Sequence, residues 1–144
     1  MERMAVRTGR WGSAMVTAFV TAGLEVNGGR VGDPASWDEE RSLAVHPTGT
    51  INILLHLDCD LSEGALTRGL ITCTEAKAAV LQELAVSSRY SRGLATGSGT
   101  DGAVLVAVSD APLRLTDTGN HSKLGETIGR VVMDAVKEAL RLQT

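Results

Sequence analysis

The sequence predicts an α/β fold, a single-domain sheet with helices packed on it, with one right-handed strand–helix–strand crossover and a C-terminal helix. Three observations predict it. Two segments alternate apolar with polar residues and are rich in β-branched side chains. Two longer segments place apolar residues at helical spacing. They follow one another as strand, helix, strand, helix, and 144 residues suit one core rather than two.

Ser13 to Gly23, SAMVTAFVTAG, reads as the first strand. Residues 24–49 are rich in Gly, Pro, Asn and Asp and read as a long irregular loop, a kind of connection that is usually functional or mobile. Thr50 to Leu57 is the second strand, with Ile51, Ile53, Leu55 and Leu57 on one face and Asn52, Leu54 and His56 on the other. Ser62 is the expected N-cap of a helix to about Ala85, with Glu63 in its first turn where the dipole favours an anion. Its apolar stripe is Leu66, Leu70, Cys73, Val80 and Leu84, with Lys77 interrupting it. Gly64 and Gly69, poor helix formers, point to a close neighbour. Ala103 to Val108, continuously apolar, reads as a strand buried on both faces. The last helix runs from about His121 to Arg141, with Asn120 as its cap. Leu124, Ile128, Val131, Val132, Ala135, Ala139 and Leu142 form its buried face, and Gly125 and Gly129 a smooth ridge.

Bulk properties narrow the function. A net charge of −3 argues against nonspecific binding to nucleic acid or anionic membrane. No apolar run is long enough to span a bilayer, and the first residues lack a signal-peptide pattern, so the expected location is cytoplasmic. Cys59 lies between Asp58 and Asp60, which disfavour a thiolate, and Cys73 lies on a packing stripe, so neither is expected to be a nucleophile. His46, His56 and His121 lack metal-ligand spacing, and no metal site or resident cofactor is expected.

Three stretches carry chemistry-bearing side chains. Thr74, Glu75 and Lys77 lie within TCTEAK, which presents a hydroxyl, a carboxylate and an amine if the helix lines a cleft. Thr96, Ser98, Thr100 and Asp101 lie in ATGSGTDG. Its glycines precede a strand rather than a helix, so it is not a phosphate-binding loop. It is either a close backbone approach to a ligand or a plain turn. His121, Ser122 and Lys123 open the last helix; Lys123 opposes the helix dipole, which at the same time favours a neutral imidazole at His121. Lys77, Asp101 and His121 are expected to converge on one cleft.

Read in order, TAG, GDPA, GTINI, TEAK, TGSGTDG and HSKLGE resemble the adenosylcobinamide amidohydrolase family, from about Val20 to the C-terminal helix. The closest blocks are 49–53, 74–77, 96–101 and 121–126. NGG stands where the family tends to show Asn-Ala, TGSGTD replaces Thr-Gly-Thr-Gly-Thr-Asp, and Asn120 replaces Gly. The family pattern also extends further toward the N-terminus than this chain.

The resemblance implies hydrolysis of the amide between aminopropanol and the corrin ring of adenosylcobinamide, in corrinoid salvage. The small-molecule corrinoid would be the partner, and the cobalt it carries the metal involved; a homo-oligomer is compatible with the sequence. Asn27, Asn52, Thr96 and Thr100 supply the amide and hydroxyl inventory for the amide-rimmed corrin. With no Gly-x-Ser-x-Gly and no thiolate, water is the expected nucleophile. Glu75, Asp101 or His121 would be its base, and Lys77 or Lys123 the oxyanion partner. The alternatives are a non-catalytic corrinoid-binding or carrier module and a structural domain without a ligand.

Overall fold

A computed structural model describes residues 3–41, 43–44 and 48–143. His46 lies outside the described residues. The chain forms β1 (Ala5–Trp11), β2 (Ala14–Ala22), β3 (Trp37–Asp38), β4 (Leu43–Ala44), β5 (Ile51–Leu57), β6 (Asp60–Leu61), α1 (Glu63–Glu83), β7 (Gly102–Ala107), β8 (Arg114–Leu115) and α2 (Lys123–Arg141). The main sheet has the order β1-β2-β5-β7: β1, β2 and β5 are antiparallel neighbours, and β5 pairs parallel with β7 across the α1 crossover. The mixed sheet, the crossover helix and the C-terminal helix agree with the fold class read from sequence.

One face of this sheet holds the core. Val16, Ala18 and Val20 of β2, with Ile51, Ile53, Leu55 and Leu57 of β5, are buried, as is the α2 face Leu124, Ile128, Val131, Val132, Ala135, Val136 and Ala139. The alternation read in β5 is therefore correct. Leu142, expected on the α2 face, is instead partly exposed. Burial of these aliphatic side chains at roughly 25 cal/mol per Å² is the main force holding helices to sheet.

The other corrections have local causes. β1 was not foreseen because only Ala5 of its seven residues is buried, which leaves no alternating pattern to read. Its signal was the two-residue link Gly12-Ser13 between the paired Trp11 and Ala14, with Gly12 at φ 56°. β7 is not buried on both faces. It is an edge strand whose Val104 and Val106 are exposed, and a short apolar run cannot by itself separate centre from edge.

In α1 the buried residues are Ala65, Gly69, Thr72, Cys73, Ala76, Val80 and Leu81, a stripe of mostly small residues. Leu70 and Leu84 are exposed. Small residues allow a close approach: a methyl group on Gly69 would lie 2.5 Å from Leu105 Cδ1. Gly64, by contrast, faces open space. Ser62 caps α1 as expected, accepting from Ala65 N. The α2 cap is Ser122 rather than Asn120: its Oγ accepts from Gly125 N at 3.0 Å and donates to Gly119 O at 2.8 Å.

Gly125 is required where α2 starts, because a methyl group there would overlap the Gly119 carbonyl. Gly129 has open space around it, so only half of the expected ridge is a contact. Gly125→Ala is expected to destabilise the fold by about 1–3 kcal/mol, as overpacking against immobile backbone does. Gly129→Ala is expected to stabilise it by roughly 0.5–1 kcal/mol through helix propensity. Urea denaturation of the two variants checks both signs.

Candidate functional site

The site begins with one carboxylate. Asp101 lies just before β7, and its four acceptor positions are all taken. Oδ1 accepts from Ile51 N at 2.9 Å and Ser98 Oγ at 2.6 Å, and Oδ2 accepts from Ser98 N at 3.0 Å and Lys77 Nζ at 2.5 Å. The Lys77 and Asp101 side chains are only 12% and 11% exposed, so this ion pair is largely withdrawn from water. It also explains the lysine on the apolar side of α1: Lys77 reaches inward to a partner rather than outward to solvent. Gly97 makes room for it, since a methyl group there would fall on Asp101 Oδ2 and lie 2.7 Å from Lys77 Nζ. In ATGSGTDG the close approach of the Gly97 backbone is to this ion pair.

Over this pair opens a cleft of about 990 Å³, lined by three stretches of chain and by Tyr90. The loop after β2 contributes residues from Asn27 to Trp37. The exposed side of α1 contributes Leu70, Ile71, Thr74, Glu75, Lys77 and Ala78, and the segment before β7 contributes Thr96 to Thr100. The first and third stretches are joined through backbone, with Gly29 N donating to Gly97 O at 2.9 Å and Thr96 N to Gly29 O at 2.8 Å.

Thr96 Oγ1 accepts from Val31 N at 2.9 Å, and Thr100 Oγ1 donates to Gly49 O at 3.3 Å. Asn27 is 2% exposed and donates through Nδ2 to the Gly49 carbonyl. Its Oδ1 is the one buried side-chain oxygen or nitrogen without a hydrogen-bond partner among the described residues.

The structure thus gathers Asn27, Glu75, Lys77, Thr96 and Thr100 around the cleft, with Asp101 directly behind Lys77. It does not gather the others. Asn52 is exposed on the opposite face of the sheet, level with Thr21 and Gly102. His56 projects from β5 on that same face. His121 precedes α2, has a side chain 79% exposed, and lies 3.2 Å from Asp117. Lys123 is exposed and bonded to Glu126 at 2.9 Å, which offsets its unfavourable place in the first turn.

The expected convergence of His121 with Lys77 and Asp101 is therefore corrected. Methyl groups on Gly9 would touch Thr127 and Val131 of α2, and pairing puts Gly9 level with Val16 and Leu57, the C-terminal end of β5. Asp101 holds Ile51 at the other end, about 20 Å away along the strand. His121 was singled out by polar density in GNHSKLGE, and capping of α2 by Ser122 accounts for part of that density.

Sequence reasoning missed four cleft residues in the loops: Arg30, Asp33, Trp37 and Tyr90. Asp33 Oδ2 accepts from Ser88 Oγ at 2.6 Å and Arg30 N at 2.7 Å, and these bonds, that from Ser88 first, hold its carboxyl below the usual range. The available signal was scarcity: of four aromatic residues in the chain, two stand in these loops. Both cysteines are buried. Burial, reinforced by Asp58, raises the Cys59 thiol, and burial pushes Cys73 up to about 11, so both remain protonated at neutral pH as their sequence context indicated.

The comparisons agree with the motifs. The family model described as adenosylcobinamide amidohydrolase matches residues 1–144. A protein of Methanocaldococcus jannaschii named Uncharacterized protein MJ1613 is 35% identical over 152 aligned positions, which cover 97% of this chain. The chain spans 59% of that relative's length. With the family match extending over every residue of the cleft and its supporting sheet, the chain belongs to the adenosylcobinamide amidohydrolase family.

Proposed function

We propose that this cleft hydrolyses the amide between aminopropanol and the corrin ring of adenosylcobinamide, releasing adenosylcobyric acid and 1-amino-2-propanol. The reaction belongs to corrinoid salvage in cobalamin biosynthesis, and its place is the cytoplasm. The observation that carries this reading is the Lys77–Asp101 pair at the edge of a wide, largely apolar cleft. A broad macrocycle rimmed with amides fits an open trough with hydroxyl and amide groups along it, which Asn27, Thr96 and Thr100 provide.

In this scheme Lys77 receives the carbonyl oxygen and stabilises the oxyanion as it forms. Asp101 has no acceptor position left for a water, so it is a positioning residue that fixes the ammonium. Glu75 lines the cleft without an ion-pair partner among the described residues, whereas Asp33 is held as a weak base by its hydrogen bonds. Glu75 takes a proton as water adds to the carbonyl carbon. It returns that proton to the nitrogen as the carbon–nitrogen bond breaks. No group beyond the chain and water is needed, and the cobalt enters only as part of the substrate.

Lys77→Gln, which keeps a donor toward Asp101, is expected to lower kcat by about 10²–10³-fold with little change in KM. The measurement is release of aminopropanol from adenosylcobinamide by purified chain. Wild-type chain that binds the corrinoid without turnover would make it a carrier module instead. His121→Ala is expected to stay within a few-fold of wild type in rate and close to it in melting temperature. Loss of rate in a folded His121→Ala protein would move the site to the start of α2. The Cys59→Ser, Cys73→Ala double variant is expected to retain turnover within a few-fold, and abolished turnover in a folded double variant would replace water by a thiol nucleophile.

A further inference from the structure

The two edges of the main sheet are built differently. β1 carries Arg7 and Arg10, and charges of this kind discourage a further strand from adding to an exposed edge. At the other edge, β7 has no charged residue and no proline between Gly102 and Ser109. Among the described residues β5 is the one strand paired with it, so its outer row of backbone N–H and C=O groups has no partner strand.

Its side chains do not shield that edge. The register with β5 sets Val104 and Val106 on the sheet face of Leu54 and His56, away from the helices, where they are 55% and 41% exposed. Leu105 points the other way, toward Gly69 of α1. A valine-rich strand with an uncharged open edge is a template for pairing with another strand.

The residue order says which strand. Ala103-Val104-Leu105-Val106-Ala107 reads the same in both directions about Leu105. Two such strands laid antiparallel and centred on Leu105 set each Val104 against the second copy's Val106, and each Ala103 against its Ala107. Side chains then match in size and no charge meets its own image, which is the self-complementarity that a two-fold interface requires.

We infer that β7 is a dimerisation edge, through which two copies of this chain pair antiparallel about Leu105 and join their sheets into one of eight strands. The inference goes beyond the amidohydrolase reading and does not depend on it. About four to six main-chain hydrogen bonds form across such a pair. The four valines meet in one apolar strip on the open sheet face. Because Asp101 immediately precedes β7, the Lys77–Asp101 pair of each copy lies at an end of the shared strand pair.

Sedimentation velocity from about 1 to 100 µM, the range for an interface at the small end of the size classes, is expected to show a monomer–dimer equilibrium. The Val104→Lys, Val106→Lys double variant places like charges opposite one another and is expected to be a folded monomer. Register is tested with cysteines, since both native thiols are buried. Directly opposed residues of an antiparallel pair have Cα atoms about 4.5–5.5 Å apart, within disulfide reach, whereas diagonal ones are about 7–8 Å apart. An equal mixture of Val104→Cys and Val106→Cys proteins should therefore cross-link to a mixed dimer under mild oxidation, and either protein alone about 5-fold less or below. Wild-type chain that stays monomeric throughout overturns the β7 dimer. So does a dimer that survives both lysines, or cross-linking as ready in either single protein as in the mixture. If the lysine variant loses its fold, the cysteine mixture decides alone.

Discussion

The Asp101 carboxylate is the constraint on which the site depends. It ties the first residue of β5, the glycine-rich segment before β7 and the C-terminal half of α1 to a single point. A buried ion pair is a poor source of net stability, because desolvating two charges offsets much of their attraction. What it provides is geometry. With hydrogen bonds from Ile51 and Ser98 fixing the carboxylate, Lys77 has one position to occupy. The glycine at 97 is the steric condition for that arrangement, which explains a Gly-rich segment that does not precede a helix.

The sheet gives this arrangement a rigid base. β2 and β5 bury one face under α1 and α2, and β7 joins β5 through the crossover that also carries Lys77 past the start of β7. The buried side of α1 is mostly small up to Ala76, with Val80 and Leu81 beyond it, whereas the bulky Leu70 and Ile71 lie on the cleft wall. One helix therefore serves both the core and the cleft wall.

Much of this was legible in the sequence, for reasons that differ by element. β2 and β5 were readable because one face is buried and the other is not, which imposes a period of two. α2 was readable because its buried residues are large. In α1 the stripe was misplaced, since Leu70 was counted as core when its exposure serves the cleft. Lys77 was singled out because it interrupts an apolar stripe, and Asp101 because of its place in ATGSGTDG, and the two meet in one ion pair. Trp37 and Tyr90 were not found, because a two-residue strand and an irregular loop show no period. His121 was misjudged for the opposite reason: a dense polar stretch can be explained by the needs of a helix end.

The Lys77–Asp101 pair also makes the site depend on contacts between distant parts of the chain. Its parts come from residues 51, 77, 98 and 101, which meet only after β5 has paired with β7 and α1 has crossed between them. In a partly folded chain the same lysine and aspartate would be hydrated, and an exposed pair attracts by only about 0–1 kcal/mol. A fixed ammonium beside the cleft therefore exists only in the completed native state. The geometry of the cleft and cooperative assembly are thereby coupled, and an incompletely assembled chain presents no fixed ammonium to its surroundings.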